Sequence, residues 1–461
     1  MRLLLEEIIN TLDGFVELRY HHKEFRSLRV TQGRVESTSA RHRTGVGVRV
    51  LESGTWGFAS TSDCTKASIL QAVDAARTSA RASAPHRKDP INDLPEVELA
   101  KGDFEMPGVD DIMTRSIDEK LELIVKAEAS ARAASTLIPS ATAGYNEIYA
   151  EKVIVTTDGA SAGLDMFGPE FRVLAVAERD GERSTGHEAV GVTGGWECLF
   201  REESDKLVGR ATKAAVDLLS AKIPEGGKNT VILAPSIVGL MVHEAVGHTV
   251  EADFVQSGSV AAGKIGTKVA SDIVTLCDSG ASELIDGAGG TIPVDDEGVI
   301  TQDTVIIKDG VLKSYLHNRE SAAHYGVAPT GNARAWEYSD EPLIRMRNTY
   351  IRPGSKSIDE IIANTKSGFL LDGPRNGQAD ATGEFMFGVQ QAWRIENGKL
   401  GELVRGVTLS GKAFEVLQTV DAVSNEFKWD LGAGHCGKGQ PAKVDAGGPY
   451  IRCEAMLGGS Q

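Results

Sequence analysis

Apolar side chains recur at helical spacing in several stretches of the chain and alternate with polar ones through most of the rest. Helical spacing predicts a short amphipathic helix over Leu3–Leu12 and a longer one over Thr65–Ala84, on Ile69, Leu70, Val73 and Ala76. Two more are predicted over Ile117–Ala134, on Leu121, Ile124, Val125 and Ala129, and over Glu202–Ala221. Ser357 and Glu360, a reciprocal capping pair, announce a helix over Ile358–Thr365. Alternation predicts strands through Phe15–Ser60, from Ala141 to about Val190, over Thr230–Leu233, and through most of the chain after Val269. Turn residues that tolerate positive φ separate them: Glu52-Ser53-Gly54, Asp158-Gly159, Asp180-Gly181, Lys308-Asp309-Gly310 and Glu396-Asn397-Gly398. Pro85–Asp111 has little periodicity and many Pro and charged residues, as a long surface connection would.

Strand-rich halves with interspersed helices imply an α+β architecture of largely antiparallel sheets with flanking helices. The clearest break is Pro224-Glu225-Gly226-Gly227. It divides the chain into an N-terminal α+β unit over 1–223, containing the connection 85–111, and a strand-rich C-terminal unit over 228–461. Acidic side chains outnumber basic ones 65 to 49, which argues against a nucleic-acid partner. The one basic stretch, Arg26–Arg43, alternates like a strand and reads as a solvated sheet face. No apolar run reaches membrane-spanning length, and the N-terminus turns acidic after Leu3-Leu4-Leu5, so neither a membrane nor secretion is expected. Five scattered cysteines without a C-x-x-C pair suit a reducing cytoplasm.

Candidate chemistry gathers at His243-Glu244-Ala245-Val246-Gly247-His248, in a helical stretch that Ser236 is placed to cap and that buries Ile237, Leu240, Met241 and Ala245. Two imidazoles with a carboxylate beside the first suit a zinc hydrolase: His243 and His248 bind the metal, and Glu244 moves the proton of the attacking water. The spacing, however, is five residues, where the zinc-peptidase arrangement on a helix uses four. Five residues of regular α-helix turn through a net angle of about 140°, so a shared metal requires a break in the helix. Gly247 is the residue best suited to allow it.

Catalytic zinc takes three protein ligands, so one is missing. Glu251 lies three residues past His248 and could be that ligand or a partner fixing an imidazole. Among distant residues, His435-Cys436-Gly437-Lys438 stands out, because a neighbouring Lys favours the thiolate that metals prefer. The bland reading of each is an ordinary buried or surface residue. His187-Glu188-Ala189-Val190-Gly191-Val192 copies the motif without its second His and is expected to be structural. His317 and His324 are expected at the surface, and Asp295-Asp296-Glu297-Gly298 is expected to form a turn.

His243 to Asp253 resembles the metal-site signature of the TldD branch of the TldD/PmbA family. Val294–Gly298, Pro329–Asn332, Arg345–Tyr350 and Cys436-Gly437-Lys438 look like that family's later blocks, in the same order. Gly45–Arg49 and the following strand match its general layout more loosely. The resemblance implies a cytoplasmic zinc peptidase, one Zn²⁺ per chain, acting on short or unfolded peptides in peptide maturation or antitoxin turnover. It implies His243, His248 and Cys436 as ligands and Glu244 as base. Glu251, Asp253 and His435 are the alternative or supporting groups, and Arg345, Asn348 and Tyr350 the candidates for substrate or oxyanion contact. The Cys block is one residue shorter than the common form, and His435 precedes it, so either residue could face the metal. The implied partners are a peptide lying extended in an enclosed cleft and a second subunit, either TldE/PmbA-like or another copy of this chain. The competing readings are a non-catalytic peptide-binding or regulatory subunit of gyrase-modulator type, and a structural zinc with four protein ligands.

Overall fold

The alternating stretch after Phe15 folds into one long-stranded sheet in a computed structural model that describes residues 1–106 and 108–459. Its strands are β1 (Phe15–Thr31), β2 (Arg34–Glu52), β3 (Thr55–Thr61), β4 (Lys101–Glu105), β5 (Ser140–Thr156), β6 (Ser161–Arg179) and β7 (Glu182–Gly191). They lie in the order β3-β2-β1-β5-β6-β4, with β7 also paired to β6. Every pairing is antiparallel except that of β4 with β6. Ser53-Gly54 and Asp180-Gly181 turn the chain with positive φ at both residues, as their sequence requires. Gln32-Gly33 does the same between β1 and β2. Helices Lys66–Ser83 and Ile117–Ala133 cover the sheet, capped by Thr65 and by a Ser116–Glu119 capping box. The basic stretch is solvent-exposed through residues 32–43.

The stretch 85–111 is not wholly a connection, because β4 joins the sheet edge as its one parallel strand. Pro107, in the same stretch, and Ser460 and Gln461, at the end of the expected C-terminal unit, lie outside the described residues.

From residue 227 onward two further large sheets form, beside two small two-stranded ones. β8 (Gly227–Leu233) pairs in parallel with strand Ser367–Ala379 and antiparallel with strand Ile451–Gly458. Pairing continues through Thr408–Lys412 and Glu384–Glu396 back to Ser367–Ala379, which closes the sheet on itself. The other sheet includes strands Leu276–Ser279, Asp303–Lys308, Asn348–Ile351 and Asp445–Gly448. Asp309-Gly310 and Asn397-Gly398 make the hairpin turns expected of them. A short helix spans Arg319–Tyr325, and another, Ala413–Gln418, interrupts the strands where the sequence pattern suggested none. The candidate-site helix, Pro235–Met241 and its continuation, touches strands of both sheets. Ile237, Val238, Met241, Val242, Ala245, Val246 and Val250 are all without exposure, so most of its circumference is buried, and Leu240, Glu244 and His248 remain partly exposed. Its N-cap is Ala234 with Pro235 at the first position; Ser236 instead donates to Asp372 Oδ1 at 2.8 Å.

The halves meet across buried charge. Asp295, Asp296 and Glu297 form the expected turn, but all three are fully buried. Asp296 accepts from Lys152 Nζ at 2.8 Å and faces His21 Nε2 at 3.0 Å, and Glu297 pairs with Arg49 at 2.5 Å. Burial alone would raise the Asp296 carboxyl, and the Lys152 ammonium holds it well below its ordinary value instead. Charges in such a place persist only when paired. His317 is also buried rather than at the surface, with Nδ1 3.1 Å from Ser321 Oγ, and burial pushes it down to about 4. Among the described residues no helix is long and apolar enough to cross a membrane.

Candidate metal centre

The helix begun at Pro235 changes winding where the motif begins. Residues Val242–Gly247 form a π turn, followed by a 3-10 turn over His248–Val250. The backbone N–H of His248 donates to the carbonyl of His243, an i→i+5 bond. That bond stacks the sixth residue over the first, so the two imidazoles share one side. Their ring centroids are 5.2 Å apart. The break demanded by the spacing is present, but the role of Gly247 differs from expectation. Its backbone is ordinary right-handed helix, with φ −54°. A Cβ there would fall 1.9 Å from Met346 Sδ, so the buried Met346 side chain would have to shift to admit one.

A short hairpin, His435–Gly437 against Pro441–Lys443, brings in the third donor. Cys436 Sγ lies 3.0 Å from His248 Nε2. The donor atoms of His243, His248 and Cys436 all lie within 4.8 Å of one another. Arg345 holds this hairpin in place, donating to the carbonyls of Cys436 and Gln440 at 2.7 Å each. His435, on the other face of the strand, turns toward Glu170 at 3.6 Å and the edge of Trp336.

The set fits a metal on two grounds. His243 is 2% exposed, and neither of its ring nitrogens has a hydrogen-bond partner among the described residues. A buried polar atom left so costs about 1–3 kcal/mol unless something else occupies its lone pair. Burial would also push the Cys436 thiol up, yet the His243 and His248 imidazoles against it bring it down to about 5. Burial likewise lowers His248, and the sulfur and Glu251 more than reverse this, to about 10. A buried thiol drawn down by two imidazoles is donor chemistry that would suit a divalent cation, whose binding would release protons.

Around the donors, Glu251 is fully buried, 3.5 Å from His248 Nδ1. It accepts from Lys438 Nζ at 2.7 Å, and the same ammonium reaches Asp253 at 2.6 Å. Lys438 thus acts on the carboxylate behind His248; the imidazoles, rather than the lysine expected from sequence, favour the thiolate. Glu244 Oε2 stands 3.8 Å from His248 Nε2, with a third of its side chain exposed.

The other candidates have their polar groups committed elsewhere. Asn348 bridges Gly290 N, Ala281 O and Thr291 Oγ1 inside the sheet. Tyr350 donates to Asp303 and packs against Phe427 and Trp429. His187 lies in β7, its backbone N–H and carbonyl both bonded to the Gln390 side chain. No sequence signal marked Met346 or the clamping contacts of Arg345.

Comparison with known sequences matches residues 226–459 to the PmbA/TldA metallopeptidase C-terminal domain, 16–80 to domain 1 and 111–219 to the central domain. A metalloprotease of Methanothermobacter thermautotrophicus is 34% identical over 97% of this chain and 96% of its own length. A metalloprotease TldD homolog of Haemophilus influenzae is 30% identical over 97% and 93%, respectively. A zinc metalloprotease TldD homolog of Saccharolobus solfataricus is 28% identical over 96% of each chain. Among solved structures, TldE from Thermococcus kodakarensis superposes with a TM-score of 0.79 at 18% identity, over 99% of this chain and 100% of that one. A Thermotoga maritima protein described as a candidate modulator of a DNA gyrase gives 0.80 at 21% identity, over 99% of both. At these identities the structural likeness shows a shared fold.

Proposed function

This chain belongs to the PmbA/TldD family of metallopeptidases, and from that premise and the donor geometry we propose that it is a zinc-dependent peptidase acting on short or unfolded peptides. The observation that carries this reading is the convergence of three donors beside a partly exposed carboxylate, Glu244. A fourth protein ligand would suit a purely structural metal, and among the described residues the cluster has three.

His243, His248 and Cys436 would hold one zinc per chain, which when bound polarises a peptide carbonyl and brings the pKa of water to about 7. Glu244 takes a proton from the attacking water on a carboxylate oxygen and returns it to the leaving amine. Glu251, fixed by Lys438, orients the His248 ring through Nδ1 and leaves Nε2 for the metal. The substrate lies extended, using backbone hydrogen bonds along a strand edge. The working assembly is a dimer, with a TldE/PmbA-like subunit or with a second copy. Peptide maturation or antitoxin turnover is the kind of role that follows.

In Glu244→Ala, cleavage of an unfolded test peptide is expected to fall by at least ~10²-fold while zinc content is kept. Cleavage at the wild-type rate would remove Glu244 from the mechanism.

A further inference from the structure

A cavity lies between the two halves of the molecule, walled by β1, β5 and β6 on one side and by residues 289–292, 334–336 and 441–443 on the other. Four of its lining side chains are cationic, Lys23, Lys152, Arg334 and Lys443, and none is acidic. Two of these are neutralised, Lys152 by Asp296 and Lys443 by Glu170, at 2.8 Å each. Lys23 and Arg334 make no ion pair among the described residues. Lys23 is 5% exposed; it donates to the Trp336 carbonyl at 2.6 Å and lies 3.2 Å from the centre of that ring. Arg334 donates from Nη1 to the Met346 carbonyl at 3.0 Å. Burial, helped by neighbouring cations, lowers both groups, Arg334 to about 10, although the carboxylate of Asp296 acts on each in the opposite sense. The remaining wall is largely apolar, with Ile148, Met166, Phe167 and Ile292.

This cavity and the donor cluster share a partition. Ala442 lines the cavity and is the cross-strand partner of Cys436. The Trp336 ring meets the edge of His435, 5.5 Å between centroids. Met346, whose carbonyl Arg334 holds, packs against Gly247 of the π turn.

We propose that the cavity, about 60 Å³ in volume, binds the free C-terminal carboxylate of a peptide, with Lys23 and Arg334 as its ion-pairing groups and the apolar wall taking a small terminal side chain. The identity of the ligand rests on the peptidase reading, which it narrows to short peptides with a free C-terminus. A guanidinium fork and an ammonium suit a planar carboxylate. An apolar wall suits the side chain beside it better than it suits a bare inorganic anion.

The test is calorimetric titration of the full chain carrying Glu244→Ala with an acetylated apolar pentapeptide lacking acidic side chains. The peptide is supplied once as the free acid and once as the C-terminal amide. The acid is expected to bind about tenfold more tightly or better. Arg334→Gln, and independently Lys23→Met, are expected to bring the two within about twofold. Equal affinity for acid and amide, or no binding of the acid, overturns the proposal without requiring any cavity variant to fold. Inorganic phosphate displacing the acid with similar affinity also overturns it, in favour of a general anion site. Discrimination between acid and amide supports the cavity even if the wild type cleaves neither, in which case only the peptidase reading falls. Cleavage of both by the wild type with equal KM does the reverse.

Discussion

Beside Cys436 as the missing ligand, the adjacent His435 stood as an alternative as long as only side-chain chemistry was considered. Backbone geometry separates them, because successive residues of a strand point to opposite faces. Cys436 faces His248, and His435 faces Glu170 and Trp336. The motif itself named His243, Glu244 and His248, since their chemistry is local in sequence. The Lys438–Glu251–His248 chain was half legible: Glu251 by its spacing, Lys438 only once the hairpin returned to it across 187 residues. Lys438→Met is therefore expected to weaken zinc binding by roughly 10–100-fold; competition with a fluorescent chelator measures this. Cys436→Ser should weaken it more than Lys438→Met, and the opposite order would mean that the sulfur is not a ligand.

At the scale of the element, the five-residue spacing required a break in the helix, and the π turn supplies it. What the sequence could not carry was the reason for Gly247, since Met346 comes from a segment about a hundred residues later. Hairpins with Asp-Gly or Asn-Gly turns were readable because those residues accept positive φ; Gln32-Gly33 was not, because Gln is an unusual residue there. β4 was hidden for a related reason. It is a short, largely exposed edge strand whose partner is set by the fold rather than by alternation. Gly247→Ala is expected to destabilise the chain by about 1–3 kcal/mol through overpacking. Combined with Met346→Ala, the loss should be smaller than the sum of the two single losses, since the added methyl then fills space vacated by the sulfur. Strict additivity in denaturant titrations would mean that Gly247 is there for another reason.

Across the whole molecule, the sheet of β1 to β7 and the C-terminal half are joined by buried ion pairs. Asp295-Asp296-Glu297-Gly298 was readable as a turn, but its burial depends on Lys152, His21 and Arg49 arriving from distant strands. Asp296→Asn leaves Lys152 buried without its counter-charge, and a cost of about 3–5 kcal/mol is expected. Scanning calorimetry should show a lower or split transition, and an unchanged profile would mean that the network contributes nothing to joining the halves. The Cys436 hairpin, the π turn and Arg345 all belong to the C-terminal half, so the donor cluster is assembled within it. X-ray absorption at the zinc K edge of the purified, zinc-loaded protein tests that cluster most directly. About one zinc per chain is expected, with one sulfur and two imidazole nitrogens among its ligands and the sulfur lost in Cys436→Ser. A wild-type spectrum with only nitrogen and oxygen neighbours, or a sulfur that survives Cys436→Ser, would contradict it.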